Sequence, residues 1–257
     1  ASANKSNDCF VFHIKYLCFQ CLIQFYQTCY KYRTLMTIFQ PKLIMIDVDG
    51  TLVDSVPDLA YCVDQMMVAL DMPLRGEETV RHWVGNGVPR LVERALSGEL
   101  DGSPSKEAFD KAYPIFLDLY AQNSSVRSTL YEGVIEGLDY LKSKDYLLGC
   151  VTNKAEQFTL PLLKSLGIID YFGIVISGDT LERKKPDPLP LIHGADFFNI
   201  KANECLMLGD SVSDVKAARA ANFQIICMSY GYNHGNNIAD ENPDLVIDSM
   251  KQLRDYL

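Results

Sequence analysis

Two aspartates at the end of an apolar run are the residues of this chain most suited to do chemistry. The run Leu43–Ile46 is followed by Asp47, Asp49, Gly50 and Thr51. A buried strand of a parallel sheet has such an uninterrupted apolar sequence, and ligands bind beyond the carboxyl ends of these strands. Residues i and i+2 share one face of a strand, so both carboxylates can converge on one small site.

Two carboxylates this close repel each other unless a proton or a cation lies between them. Mg²⁺ prefers hard oxygen ligands, so the pair Asp47 and Asp49 favours a divalent metal site. The alternative is a strand that ends in a polar turn, with Asp49 and Gly50 as ordinary turn residues.

Three further apolar runs also end in polar residues that could act together with the two aspartates. These residues are Thr152 and Asn153 after the run 147–151, Lys184 and Lys185 after the run 174–179, and Asp210 and Asp214 after the run 205–209. Singly, they could be helix caps or a solvated lysine cluster. Jointly, strand ends that supply acids, a hydroxyl and a cation predict a site for a phosphoryl group and its metal.

The four stretches, in this order, resemble motifs I to IV of the haloacid dehalogenase superfamily. The resemblance extends from about Pro41 to about Asp248. Its details are most similar to the phosphoglycolate phosphatase branch of that superfamily. The stretches that carry this narrower similarity are 49–55 with 57–59 after it, 84–87, 131–134 and 185–188.

The resemblance implies a phosphomonoester hydrolase that works through an aspartyl-phosphate. In that reaction Asp47 is the nucleophile, and Asp49 is the general acid and then the general base. Lys185 is expected to stabilise the nucleophile and the transferring group, because it directly precedes Pro186 as in the family. Lys184 is the alternative.

The same resemblance implies a Mg²⁺ ion as cofactor. Its expected ligands are Asp47, the backbone carbonyl of Asp49, and Asp210. The cation would neutralise charge between a dianionic phosphate and an anionic nucleophile. Asp214 is expected to orient either a metal-bound water or the lysine.

Substrate contacts are expected from two places. Thr152 and the backbone amide of Asn153 would hydrogen-bond the phosphoryl oxygens. Gly85, Asn86 and Gly87 form a loop whose backbone amides could approach a small carboxylate on the leaving group. A simple turn between two helices is an equally good interpretation of this loop.

The substrate that the resemblance implies is 2-phosphoglycolate, hydrolysed to glycolate and phosphate. The alternatives are a phosphatase of another small metabolite, such as a sugar phosphate or a nucleotide, and a hexose-phosphate mutase of the same superfamily. Haloacid dehalogenation is disfavoured because dehalogenating members lack the second aspartate, and Asp49 is present. A non-catalytic relative is disfavoured because every matched position is intact.

The pattern of elements predicts an α/β fold. Apolar strand candidates lie at 42–48, 147–152, 173–178, 204–209, 224–229 and 245–248. Helical patterns at 134–144, 157–165, 188–197 and 214–221 alternate with the later strands. This alternation indicates a Rossmann-like parallel sheet with helices on both faces.

The long gap after the first strand predicts a helical insert. Amphipathic patterns fill it at 57–70, 89–96 and 106–122. In the family, a small helical cap domain occupies this position. The expected domains are therefore an α/β core of residues 36–55 and 130–257 and a helical cap of residues 56–129.

Residues 1–35 differ in composition from the remainder, being rich in aromatic residues and cysteine. Cys18 and Cys21 form a CxxC pair, but no second pair with zinc-finger spacing follows. Lys15 and several glutamines interrupt the apolar run, so no membrane span is expected. We expect this segment to lie outside the working fold.

Composition limits the partners. The chain has 257 residues and a formal net charge of −9, which argues against a nucleic-acid partner. A small phosphorylated metabolite remains compatible, because local cations and a metal decide its binding. The cysteines suggest no disulfide framework, so a cytoplasmic protein is expected. A monomer or a homodimer is expected, with no membrane partner.

Overall fold

The computed structural model describes residues 39–257, and residues 40–255 of this range form one compact unit. All elements named below lie in that unit. The expectation for residues 1–35 falls outside the described residues.

A parallel sheet forms the centre of this unit. Of the strands β1–β8, numbered along the chain, six belong to it: β1 Leu43–Ile46, β4 Leu147–Val151, β5 Ile174–Ile176, β6 Cys205–Gly209, β7 Gln224–Met228 and β8 Leu245–Ile247. Their order is β5-β4-β1-β6-β7-β8, and every pairing is parallel. In the register, Ile46 lies beside Cys150 on one side and Leu208 on the other. The residues that follow these three strands therefore emerge at one edge.

Helices connect the strands in two groups. Between the short strands β2 Val53–Asp54 and β3 Thr129–Leu130 lie α1 Val56–Ala69, α2 Glu77–Trp83, α3 Val88–Ser97 and α4 Lys106–Asn123. The later helices are α5 Val134–Ser143, α6 Glu156–Ser165, α7 Leu189–Phe198 and α8 Val212–Ala221. The predicted α/β fold with a parallel sheet is confirmed. No helix in residues 39–257 is both long and apolar enough to cross a membrane.

The apolar strand β1 is buried on both of its faces. Leu43 and Met45 pack in a core cluster with Leu191 of α7 and Val215 of α8. The side chains at alternate positions, 44 and 46, point to the opposite face and are also fully inaccessible. This double burial is the reason that the strand reads as a continuous apolar run.

The helices α1–α4 share a hydrophobic core of their own. It includes Met66 of α1, Leu91 of α3 and Phe116 of α4, and Phe158 of α6 also packs into it. The strand β2 precedes these four helices and β3 follows them, and the two strands pair with each other in antiparallel orientation. The division into a core and a cap at residues 56 and 129 stays a prediction, because residues 40–255 group as one unit.

Candidate active site

The first two aspartates lie at the carboxyl end of β1. Asp47 directly follows the strand, and its backbone N–H donates to the carbonyl of Leu208 at 3.0 Å. The chain then turns sharply at Gly50, whose φ is +92°. A Cβ atom at this position would lie 2.2 Å from Oδ2 of Asp210, so only glycine permits this close approach. The turn brings motif I against Asp210.

Lys185 is the lysine that reaches the first aspartate. Its ammonium lies 2.9 Å from Oδ1 of Asp47 and 2.7 Å from Oδ1 of Asp214, and it donates to the carbonyl of Val151. Burial acts to lower the pKa of Lys185, but Asp214 and Asp47 more than offset this, so the pKa lies above its ordinary value. Lys184, the alternative, instead donates to the carbonyl of Asn86 at 2.8 Å.

Asp210 is buried, and each of its carboxylate oxygens accepts one hydrogen bond from an uncharged donor. Its Oδ1 accepts from the Thr51 hydroxyl at 2.7 Å, and its Oδ2 accepts from the Tyr232 N–H at 2.6 Å. Burial, and then the neighbouring Asp214 and Asp47, raise the pKa of Asp210 well above its ordinary value. Burial likewise raises the pKa of Asp47 to about 7, although Lys185 opposes this shift. Both carboxyls would be better stabilised by a nearby cation.

Asp214 lies behind the other acidic residues and is fully engaged. Its Oδ2 accepts from the N–H of Asp210 and from the N–H and hydroxyl of Ser211, which caps α8. Its Oδ1 accepts from Lys185. Because Oδ1 of Asp214 accepts from Lys185 and Oδ2 accepts from three other donors, Asp214 fits the predicted role of orienting the lysine.

The donor set and the charge fit a divalent cation. Carboxylate oxygens of Asp47, Asp210 and Asp214 lie within 4.8 Å of one another. With Asp49 there are four carboxylates, and the two buried ammonium groups of Lys185 and Lys154 leave a formal excess of two negative charges. Oxygen donors with this excess are suited to a hard divalent ion, and Asp47 and Asp210 are the carboxylates with capacity to hold it.

Thr152 and Asn153 follow β4 at the same edge. Thr152 is buried, and its Oγ1 accepts from the N–H of Lys154 at 3.2 Å. The Asn153 side chain donates to the carbonyl of Lys185 at 2.9 Å and so supports the loop that carries the lysine. Its backbone N–H has no acceptor among residues 39–257.

The loop Gly85, Asn86 and Gly87 connects α2 with α3, as the turn interpretation predicts. All three residues have positive φ, at +116°, +67° and +91°. The buried guanidinium of Arg94 fixes the loop from behind, donating to the carbonyl of Trp83 and to Oδ1 of Asn86. The loop also lines the pocket described next, a position that is compatible with carboxylate binding. Its role in binding a carboxylate stays a prediction.

One pocket brings the predicted residues together. Those that line it are Asp47, Asp49, Gly85, Asn86, Gly87, Thr152, Asn153, Lys185 and Asp210. Asp214 lies behind the lining. Apolar side chains from the helical region, Leu59, Val84, Val88 and Leu91, close the opposite wall. The pocket therefore joins a charged sheet edge to an apolar helical surface.

The lining also includes polar residues that were not predicted as site residues, among them Lys154, Tyr232 and His234. Lys154 is buried and pairs with Asp49 at 3.1 Å. Its pKa is raised, because Asp49 and Tyr120 more than offset the effect of burial. The signal for Lys154 was its place beside Asn153 in the second motif. No local pattern surrounds His234, whose Nδ1 lies 2.9 Å from the carbonyl of His82.

Comparison with known proteins gives the class to which this fold and site belong. The model of the family "Haloacid dehalogenase-like hydrolase" matches residues 44–228. The chain belongs to this family, which confirms the resemblance seen in the sequence.

Individual relatives give a narrower similarity. The chain is 63% identical over 218 residues to a protein of Nitrosococcus oceani named phosphoglycolate phosphatase, a match that covers 85% of this chain and 97% of that protein. A protein of the same name from Thiobacillus denitrificans is 44% identical, with coverage of 82% and 93%. Among solved structures, a predicted phosphoglycolate phosphatase from Haemophilus somnus has a TM-score of 0.80 and 32% identity, covering 85% of this chain and 98% of that one.

Proposed function

We propose that this chain is a Mg²⁺-dependent phosphatase that hydrolyses 2-phosphoglycolate to glycolate and phosphate. The observation that carries the proposal is the convergence of Asp47, Lys185 and Asp210 at one edge of the sheet, beside Asp49 in one pocket. The choice of substrate is supported by the name that the similar proteins share.

In the first proposed step, a carboxylate oxygen of Asp47 forms a bond to phosphorus as the bond from phosphorus to the glycolate oxygen breaks. Asp49 transfers its proton to that oxygen, so glycolate leaves as an alcohol. The products of this step are the aspartyl-phosphate and a deprotonated Asp49.

In the second step, Asp49 takes a proton from a water molecule, whose oxygen attacks the phosphorus. The bond between phosphorus and Asp47 breaks, which restores the carboxylate and releases phosphate. Lys185 stabilises Asp47 and the transferring oxygens, and Thr152 with the Asn153 N–H donates to them in both steps. Asp214 keeps Lys185 in place through its 2.7 Å contact.

Mg²⁺ is the proposed metal. Asp47, Asp210 and the backbone carbonyl of Asp49 would hold it, and when bound it neutralises the repulsion between the phosphate and the carboxylates. Further parts of the proposal are a cytoplasmic protein, monomeric or homodimeric, whose partner is this small metabolite.

The test is phosphate release from 2-phosphoglycolate, compared with a panel of sugar phosphates and nucleotides, with Mg²⁺ and with EDTA. We expect the highest kcat/KM for 2-phosphoglycolate and no turnover in EDTA. A higher kcat/KM for another compound would show that the substrate is different but that the chain is still a phosphatase. Isomerisation of a hexose phosphate without phosphate release would indicate a mutase instead.

A further inference from the structure

Lys154 is a buried cation at the centre of the pocket whose role the proposed reaction leaves open. Its side chain is only 2% exposed. The ammonium lies 3.1 and 3.3 Å from the two carboxylate oxygens of Asp49 and also contacts the hydroxyl of Tyr120. In the described part of the chain, no other side chain hydrogen-bonds to the Asp49 carboxylate.

Tyr120 comes from the helical region and is enclosed by other aromatic side chains. It lies on α4, is fully buried, and packs its ring against Phe116 and Phe158 with centroid distances of 5.5 and 4.7 Å. The Lys154 ammonium lies 5.0 Å from the centroid of the same ring. Because the ammonium lies beyond the hydroxyl oxygen and not over the ring, the tyrosine fixes the ammonium through its hydroxyl.

These contacts connect the three parts of the site. Asp49 follows β1, Lys154 lies between β4 and α6, and Tyr120 belongs to the helices that form the apolar wall. A general acid must lie within hydrogen-bond reach of the leaving oxygen, so the orientation of its carboxyl limits the rate. The orientation of Asp49 therefore depends on Lys154. The orientation of Lys154 depends in turn on the position of α4, which carries Tyr120.

We propose that Lys154 is a positioning residue that orients Asp49 for proton transfer, and that Tyr120 makes this orientation depend on the helical region. The inference rests on the proposed function, because it takes Asp49 as the acid and base.

The test compares two substrates that differ in their need for an acid. The glycolate alkoxide is a poor leaving group, whereas p-nitrophenolate leaves readily without a proton. Lys154→Met should lower kcat for 2-phosphoglycolate by roughly tenfold to a hundredfold, because a misoriented acid loses only part of the roughly 10²- to 10⁴-fold that acid–base catalysis contributes. Its loss on p-nitrophenyl phosphate should be several times smaller. Equal losses on both substrates would reduce Lys154 to a structural role and overturn the proposal.

A milder variant covers the case in which Lys154→Met does not fold. Tyr120→Phe keeps the ring packing and removes only the hydroxyl, and we expect a loss in the same direction, about threefold to tenfold. The matched control is Tyr113→Phe, on the same helix, whose ring stacks on Phe109 with a centroid distance of 5.0 Å. The control should match the wild type on both substrates. A loss in Tyr113→Phe equal to that in Tyr120→Phe would overturn the proposed link.

A double mutant tests whether Lys154 acts through Asp49. In an Asp49→Asn background, Lys154→Met should cause no further loss on 2-phosphoglycolate, because the oriented group is already absent. Losses that multiply would show an independent role and overturn the proposal. A wild-type chain that releases no phosphate from either substrate would instead refute the proposed function, so the two failures are distinguishable.

Discussion

Two buried aspartates, Asp47 and Asp58, have opposite surroundings in this molecule. The carboxylate of Asp58 on α1 accepts hydrogen bonds from three consecutive backbone N–H groups, those of residues 126–128, at 2.8 to 3.0 Å. It has no access to the pocket. Asp47 lines the pocket and has a raised pKa. The surroundings of Asp58 therefore indicate a role in the fold, and those of Asp47 are compatible with its proposed role as nucleophile.

Replacing the proposed nucleophile should therefore separate activity from stability. Asp47→Asn should lower phosphate release by about 10⁴-fold or more, because an amide cannot form the aspartyl-phosphate. Its melting temperature should stay within a few degrees of the wild type, since the change removes a like charge from an acidic cluster. Turnover near the wild-type rate would remove Asp47 from the mechanism.

Asp58→Asn is the matched control at a buried carboxylate. It should reduce the free energy of unfolding by about 3 kcal/mol, because charge-assisted hydrogen bonds to the backbone are weakened. The folded fraction should keep most of its activity. Urea titration and specific activity, corrected for folded protein, measure the two effects. An inactive yet stable Asp58→Asn would contradict this division of roles.

At the residue scale, the sequence located the groups whose position follows from a strand end. Asp47, Thr152 and Asp210 could be predicted, because parallel strands bring such positions to one edge. The contacts of Lys154 could not, although the residue follows Asn153 in the second motif, because its partners Asp49 and Tyr120 are 105 and 34 positions away in the chain. Contacts of that kind depend on how the helical region packs, which no local pattern specifies.

At the scale of elements, the loop Gly85–Gly87 between α2 and α3 is the part of the helical region that lines the pocket with consecutive backbone groups. A Cβ atom on Gly87 would lie 3.1 Å from the ammonium of Lys184 and 3.5 Å from the carbonyl of Asn153. The loop thus approaches the sheet closely, and a side chain at this position would disturb the distance between the two walls.

Gly87→Val should lower kcat/KM for 2-phosphoglycolate by at least about tenfold and affect p-nitrophenyl phosphate much less. Discrimination needs contacts to the leaving group in the transition state, and in the proposed reaction the sheet residues contact only the phosphate and the metal. The matched control is Gly76→Val, because Gly76 also has positive φ, at +75°, but has nothing within 4 Å of an added Cβ. If both variants lose activity equally on both substrates, the loop does not determine specificity.

Some elements could be predicted only in part. The six strands of the sheet follow from apolar runs, which are almost fully buried in the four inner strands and only partly buried in the edge strands β5 and β8. The helix α2 was missed, because only Val80 and Trp83 are buried in its seven residues, which is too few for a periodic pattern. The strands β2 and β3 have two residues each, so no alternation can be seen in them.

At the scale of the whole molecule, the surface and the site have the same sign of charge. The chain carries a formal net charge of −9, and the site adds a local excess of two negative charges. A dianionic substrate would be repelled by this site alone. We therefore expect substrate binding to require a bound divalent cation, which should also stabilise the fold by mass action.

The pKa of Asp47 sets the sign of a pH effect on stability. Burial, opposed by Lys185, raises this pKa from 3.8 to about 7 in the folded protein, and the pKa of Asp210 is raised as well. Between about pH 4 and pH 7 the unfolded chain loses these protons while the folded protein keeps them. The metal-free protein should therefore lose stability as the pH rises through this window.

Mg²⁺ should consequently raise the melting temperature more at pH 8 than at pH 5.5. At a concentration about a hundredfold above its dissociation constant, the ion adds about 2.7 kcal/mol to the free energy of unfolding. At pH 5.5 protons compete for Asp47, which weakens ion binding and reduces this gain. Calorimetry with Mg²⁺ and with EDTA at both pH values measures the difference, and Asp47→Asn should reduce it. An equal rise at both pH values would show that Asp47 is not part of the ion's site.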